Sequence, residues 1–305
     1  MNEAALPALD PERQAIRELV RGASVELSAR DRATPDAYQA LLPRGTAIYI
    51  NFAPGDSYHG SVDAAVRIRR AGFRPVPHVA ARYLAGPTQL ADFLARAHGE
   101  AGIDDVLLIA GDIDQPAGAF RSSLDLIETG LLEKHGIRRI GIAGYPEGHP
   151  KIGKAELDTA LIGKLAQARQ AGLATRIVTQ FAFEAGPILS WIRHLRASGV
   201  DVPVHVGLAG PATIAALVKF ALRCGIGNSI GMMLKHKTSV TRLLTESGSE
   251  RVIHGLTQGE IASLGLHDLH FFAFGGVTRT CKWLGAIERG DFTLTDDDSG
   301  FEVTR

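Results

Sequence analysis

The chain has 305 residues, with Lys+Arg and Asp+Glu balanced at 33 each. That length can bury the core of one large domain or two small ones, and the balanced charge gives no global field for nucleic acid or an anionic membrane surface. Cys224 and Cys281 stand far apart and outside any Cys-x-x-Cys pattern, so they offer neither a disulfide framework nor a zinc site. No apolar run is long enough to span a bilayer, and the charges of Asp10-Pro11-Glu12-Arg13 leave no apolar leader, so a cytoplasmic location is expected.

Residues 1–21 read as a polar lead-in with a short helix over Pro11–Val20, proline sitting at its first turn. Ala23–Leu27 is the first strand. Thr34-Pro35 opens a helix that ends before Pro43. Thr46–Asn51 is a strand, Ser61–Ala71 a helix closed by Gly72, and Arg74–Val79 a strand interrupted by Pro75 and Pro77. Pro87–His98 is helical, and Asp105–Ala110 is an almost purely aliphatic strand. A helix covers Ala119–Glu133, a fifth strand Arg138–Ala143, and a helix Lys154–Ala171. Thr175–Gln180 is a strand, Pro187–Ala197 a helix and Pro203–Gly207 a strand. Residues 211–265 hold helices ending in Gln258–Leu264, Asp268–Phe274 is the last strand, and Thr278–Ile287 the last helix. Residues 290–305 form an acidic tail, expected to be loosely held.

Short aliphatic strands alternating with helices are what a parallel sheet covered on both faces requires. Eight such repeats predict a single-domain (β/α)8 TIM barrel over residues 22–289. An open doubly wound sheet is the alternative. No Gly-x-Gly-x-x-Gly follows a first strand, and the glycine-rich run Gly225–Gly231 follows a helix with the wrong spacing, as a helix C-cap and turn would.

In a barrel all C-terminal strand ends face one mouth. This chain puts Glu26, His78, Gly111-Asp112, the loop Tyr145-Pro146-Glu147-Gly148-His149, and Thr179-Gln180 at those ends. Glu26 lies between Val25 and Leu27, where burying a carboxylate is costly. Burial would raise its pKa, as suits a general acid, although a structural ion pair would look the same. Asp112 follows a glycine that lets backbone approach a ligand; a helix cap or Asx-turn is its plainer role. His78 and Gln180 could equally be hydrogen-bonded core residues, and the Tyr145–His149 loop an ordinary surface loop. There is no His-Glu-x-x-His, no other metal-ligand spacing, and no Gly-x-Ser-x-Gly. Spacing alone names no reaction.

The segments Ser24-Val25-Glu26-Leu27, Pro77-His78-Val79, Ala110-Gly111-Asp112, Gly144-Tyr145-Pro146-Glu147-Gly148-His149-Pro150 and Val178-Thr179-Gln180-Phe181 resemble, in order and spacing, the methylenetetrahydrofolate reductase family in its short bacterial form. The resemblance covers roughly residues 22–288. It implies a (β/α)8 barrel that holds FAD without a Rossmann fingerprint and takes electrons from NAD(P)H. The flavin then exchanges a hydride with methylenetetrahydrofolate, giving methyltetrahydrofolate by a reversible ping-pong route. By resemblance Glu26 is the general acid, and Asp112 stabilises the cation formed as the imidazolidine ring opens. Gln180 contacts folate and flavin, while His78, Gly111, Asp112, Tyr145 and His149 contact FAD. Asp158 and Lys164 fall where the family has ribose and phosphate contacts. The expected partners are tetrahydrofolate derivatives and further copies of the chain in a homo-oligomer, with no nucleic acid and no membrane. The family's Phe-Phe-Pro-Pro after the glutamate is replaced by Leu27-Ser28-Ala29-Arg30. A family phenylalanine that stacks on substrate falls near Ile214, and an arginine after the last strand falls within Gly275-Gly276-Val277, with Arg279 close by. A pterin-binding barrel that donates methyl groups to a corrinoid partner, and a non-catalytic flavin- or folate-binding protein, are the alternative functions.

Overall fold

The computed structural model describes residues 10–30, 36–224, 246–259, 264–297 and 299–304. Thr34-Pro35, the Gly225–Gly231 run and residues 260–263 of the expected Gln258–Leu264 helix lie outside the described residues. Eight parallel strands close into a barrel in the order β1-β10-β7-β6-β5-β4-β3-β2. They are β1 (Ser24–Ser28), β2 (Ala47–Asn51), β3 (Arg74–Ala80), β4 (Asp105–Ile109), β5 (Arg139–Gly144), β6 (Ala174–Thr179), β7 (Val204–Ala209) and β10 (Leu266–Phe272). Between the last two, β8 (Ala212–Thr213) and β9 (Glu246–Ser247) form a small antiparallel ladder outside the barrel. The seam is the pairing of β1 with β10, Ser24 opposite His270 and Glu26 opposite Phe272.

The expected strands all form, with ends shifted by one or two residues. Pro75 and Pro77 are tolerated inside the closed sheet because the β3–β4 ladder starts only at His78 opposite Leu107, just past them. The helix expected over Ala119–Glu133 is two pieces, Ser123–Glu128 and Leu131–Lys134, broken where Gly130 turns left-handed at φ 66°. The Pro11–Val20 helix forms as expected, with Asp10 capping it, and buries Ile16 and Val20. His254 and Gln258 both hydrogen-bond to Glu12 and hold that helix against the base of the barrel.

Alternation along each strand sorts the core into two parts. Outward residues such as Val25, Ile48, Ile50, Leu108, Ile142 and Phe271 pack under the helices in the main core. Inward, Tyr49, Val76, Leu107 and Val178 form a separate cluster inside the barrel. Beside it runs a polar column. Arg176 Nη1 pairs with Asp105 Oδ1 at 2.8 Å, and Arg176 Nε donates to Tyr49 Oη at 2.9 Å. The Tyr49 ring lies 4.4 Å from that of His270. Arg74 and Arg139 also reach Asp105 Oδ2, at 2.7 and 3.5 Å. Gly141 leaves room for this column: a Cβ there would stand 2.7 Å from Leu107 Cδ1.

The C-terminal tail differs from expectation. Phe292–Leu294 and Phe301–Val303 pair as an antiparallel hairpin whose phenylalanines are buried against each other, 4.9 Å between ring centroids. Arg13 covers the Phe292 ring and donates to Gly290 O, so the two ends of the chain hold one another. Burial of two rings outweighs the local acidity that suggested a loose tail. No helix among the described residues is long and apolar enough to cross a membrane.

Candidate active site at the barrel mouth

Glu26 points into the barrel from the middle of β1 and is 9% exposed. Its Oε2 lies 3.4 Å from His78 Nε2 on β3 and 3.5 Å from His270 Nε2 on β10. Asn51 Nδ2, at the end of β2, donates to Oε1 at 3.3 Å. Four strands converge on one carboxyl because Glu26, Asn51, His78 and His270 all fall on inward positions of their strands.

Sequence reasoning expected burial to raise the pKa of Glu26; the structure corrects this. Burial does raise it, but His78 and the hydrogen bonds from His270 and Asn51 together outweigh burial and hold the carboxyl below its ordinary value. His78 is pushed down to about 4, chiefly by burial, with Glu26 acting against the shift. At neutral pH the group is therefore a carboxylate beside a neutral His78.

Ser24 sets the His270 ring. Ser24 Oγ lies 2.9 Å from His270 Nδ1. If Ser24 donates to Nδ1, His270 Nε2–H is left to donate to Glu26; the opposite tautomer would face two lone pairs across that contact. His270, Ser24 and Asn51 were not among the sequence candidates. The available signal was the alternation His270-Phe271-Phe272, which puts His270 on the inward face once β10 is taken to close on β1.

Asp112 lies past the end of β4 and is exposed, and Tyr83 Oη donates to its Oδ1 at 2.6 Å. Gly111 is left-handed at φ 95° and packs beneath the Tyr83 ring, so a Cβ there would stand 3.1 Å from ring carbons. Arg82 ties this loop down through Ile113 O and Arg121 O. Beyond β5, Gly148 closes a turn onto Tyr145 O, and the Tyr145 and His149 rings meet edge to face at 5.3 Å. His149 Nδ1 accepts from Lys151 N, and burial, Lys151 and Arg82 push its pKa down, so the ring is neutral. Lys151 also bridges to Asp114 at 2.5 Å, linking the β4 and β5 loops.

Gln180 follows β6; its backbone N–H donates to Gly144 O at 2.8 Å and its Oε1 accepts from Phe181 N. Thr179 Oγ1 accepts from Gly207 N at 2.8 Å, a close approach that only glycine allows, since a Cβ on Gly207 would stand 2.1 Å from Thr179 O. Asp158 and Lys164 are not brought together. Both lie on the helix Lys154–Gln170, where six residues turn them about 120° apart. Asp158 pairs with His194 at 3.3 Å, and burial lowers the pKa of Lys164.

The aromatic surface of the mouth was also missed. Ile214, near which the family's stacking phenylalanine was expected, is 1% exposed and belongs to the core. Phe181, Phe183, Phe220, Phe272 and Phe274 instead form a cluster beyond β6 and β10, with Phe220 stacked on Phe274 at 4.2 Å. A separate cavity of ≈ 850 Å³ lies between the C-terminal hairpin and the helix Val277–Arg289. Arg279 lines it, and Glu26, His78, Asp112 and Gln180 do not.

With this geometry in hand, the family model for methylenetetrahydrofolate reductase matches residues 46–278. Methylenetetrahydrofolate reductase 2 of Saccharomyces cerevisiae is 28% identical over 193 residues, 60% of this chain and 31% of that protein. 5,10-methylenetetrahydrofolate reductase of Pectobacterium carotovorum is 31% identical over 153 residues, 50% of this chain and 49% of that one. The matches thus span less than half of either relative. A solved structure of an uncharacterized protein from Clostridium thermocellum, described as binding two copies of 5-methyl-5,6,7,8-tetrahydrofolic acid, aligns with TM-score 0.55 over 92% of this chain and 98% of that chain. At 11% identity that likeness shows the fold alone.

Proposed function

The chain belongs to the methylenetetrahydrofolate reductase family, and from that premise we propose that it interconverts 5,10-methylenetetrahydrofolate and 5-methyltetrahydrofolate, with FAD as cofactor and NAD(P)H as electron partner. The observation that carries this reading is the buried Glu26 carboxyl, held by His78, His270 and Asn51 at the base of the mouth. The residues present fit a flavin. Asn51 Oδ1 is a buried polar atom without a hydrogen-bond partner, and two aromatic rings, Tyr145 and His149, stand beyond β5. FAD, when bound, would supply the hydride relay between nicotinamide and the one-carbon unit.

The chain's own residues do the rest. Glu26 exchanges a proton with the ring nitrogen at the one-carbon bridge. Ionised at rest, it takes that proton up in the oxidative direction and must first be loaded, through His270 or from the mouth, to give it in the reductive one. Asp112 offers negative charge to the opened, cationic ring, and its bond from Tyr83 fixes where that charge sits. Gln180, whose backbone bonds to Gly144 beside the Tyr145–His149 loop, orients the pterin, and the cluster around Phe274 excludes water.

The test is the absorbance spectrum of purified protein. It is expected to be that of a flavoprotein, to bleach anaerobically with NADH or NADPH, and to recover with methylenetetrahydrofolate. Colourless protein that binds no added FAD would overturn the flavin reading.

A further inference from the structure

Among the described residues, one group of histidine and carboxylate side chains has ligand atoms all within 4.8 Å of one another: His205, His267 and Asp268. It lies at the other end of the barrel from Glu26. His205 is near the start of β7, and His267 and Asp268 are near the start of β10. Asp268 pairs in register with His205, and the ladder slips between Leu266 and Asp268, leaving His267 as the extra residue. Neighbours on a regular strand point to opposite faces. A bulge re-aims one of them, and here His267 and Asp268 both come to His205.

The arrangement is compact. His267 Nδ1 lies 2.9 Å from Asp268 Oδ2, and His205 Nε2 lies 3.8 Å from the same oxygen. The two imidazoles are parallel, 5.7 Å between centroids and 5° between planes. Ligands about 2.0–2.2 Å from a tetrahedral zinc stand roughly 3.3–3.5 Å apart, and the two measured separations bracket that spacing. His205 Nδ1 is buried without a hydrogen-bond partner, whereas the His267 side chain is 65% exposed, so the group is open to solvent on one side.

We propose that His205, His267 and Asp268 form a binding site for a zinc-class divalent cation that clamps β7 to β10 at the base of the barrel. Two imidazoles and one carboxylate favour zinc, cobalt or nickel over magnesium or calcium, and three protein ligands leave a position for water. Arg176 and Arg74 face His205, as do His270 and His267. The charges of both arginines are met by Asp105, at 2.8 and 2.7 Å.

Isothermal titration of chelator-stripped, tag-free protein with zinc chloride tests this. One equivalent per chain is expected to bind and to raise the melting temperature. His267→Ala, whose ring is exposed and leaves the fold untouched, and His205→Asn are expected to weaken zinc binding about tenfold or more. His59→Ala, an exposed histidine held by Arg96, should bind zinc like the wild type. Cobalt chloride should give a visible tetrahedral band that His267→Ala loses. Equal zinc affinity in the wild type and His267→Ala, or no zinc bound by the wild type at micromolar metal, would overturn the site.

Discussion

Glu26 Oε2 and His270 Nε2 lie 3.5 Å apart across the seam where β1 and β10 close the barrel. The first and last barrel strands thus contribute the carboxyl proposed as the acid and the imidazole beside it. Glu26→Gln keeps the shape and the Asn51 contact but removes the exchangeable proton. We expect turnover to fall about 10²–10⁴-fold with the melting temperature nearly unchanged. Steady-state assays in both directions read this, and unchanged turnover would remove Glu26 from the chemistry.

In the proposed reaction His270 acts through Glu26. His270→Gln is expected to lower kcat on the order of tenfold and to shift the acidic limb of the pH–rate profile. Ser24→Ala should shift it the same way, and Ser24→Thr, which keeps the hydroxyl 2.9 Å from Nδ1, should restore it. A merely structural role would move the melting temperature and leave the pH limb in place.

Stability should fall on acidification above the usual carboxylate range. His78 has a folded pKa of about 4 against an ordinary 6.5, so the unfolded chain binds more protons between those values. Its contribution is complete above about pH 6.5 and is lost as pH falls towards 4, roughly 3 kcal/mol in all. The depressed Glu26 carboxyl adds a further loss at lower pH. Denaturant titrations across this range should show the slope, to which the depressed His205 also contributes, and His78→Gln should reduce it.

Asp105 is 1% exposed and faces Arg74, Arg139 and Arg176. Asp105→Asn leaves these guanidiniums without their shared carboxylate, Arg176 among them buried, and is expected to cost about 3–5 kcal/mol. Urea unfolding measures it. A cost below about 1 kcal/mol would mean that solvent, and not Asp105, balances the base of the barrel.

The edge-to-face pair of Tyr145 and His149 is the proposed flavin contact. His149→Ala should weaken FAD retention by about tenfold, corresponding to about 1.4 kcal/mol, with little change in melting temperature of the apoprotein. Quenching of flavin fluorescence on titration reads the affinity, and equal affinity in the variant would remove His149 from the cofactor site.

Much of this protein is determined locally. Short aliphatic runs, the helix stops at Gly72, Gly102 and Gly172, and the proline at the start of Pro11–Val20 specify the alternation of strand and helix, and alternation with eight repeats specifies the barrel. The placement of Glu26, His78, Asp112 and Gln180 on or just past their strands was legible because barrel topology sends every strand's C-terminal end to one mouth. What the sequence could not determine depends on which strands become neighbours. Only closure brings His270 to Glu26, and only that contact, with His78 and Asn51, reverses the pKa shift that burial alone would give. Only the slip in the β7–β10 ladder turns His267 and Asp268 towards His205, and only the hairpin explains why an acidic tail is held. Local pattern sets each side chain's face, while long-range register sets its partner, and charge and proton affinity follow the partner.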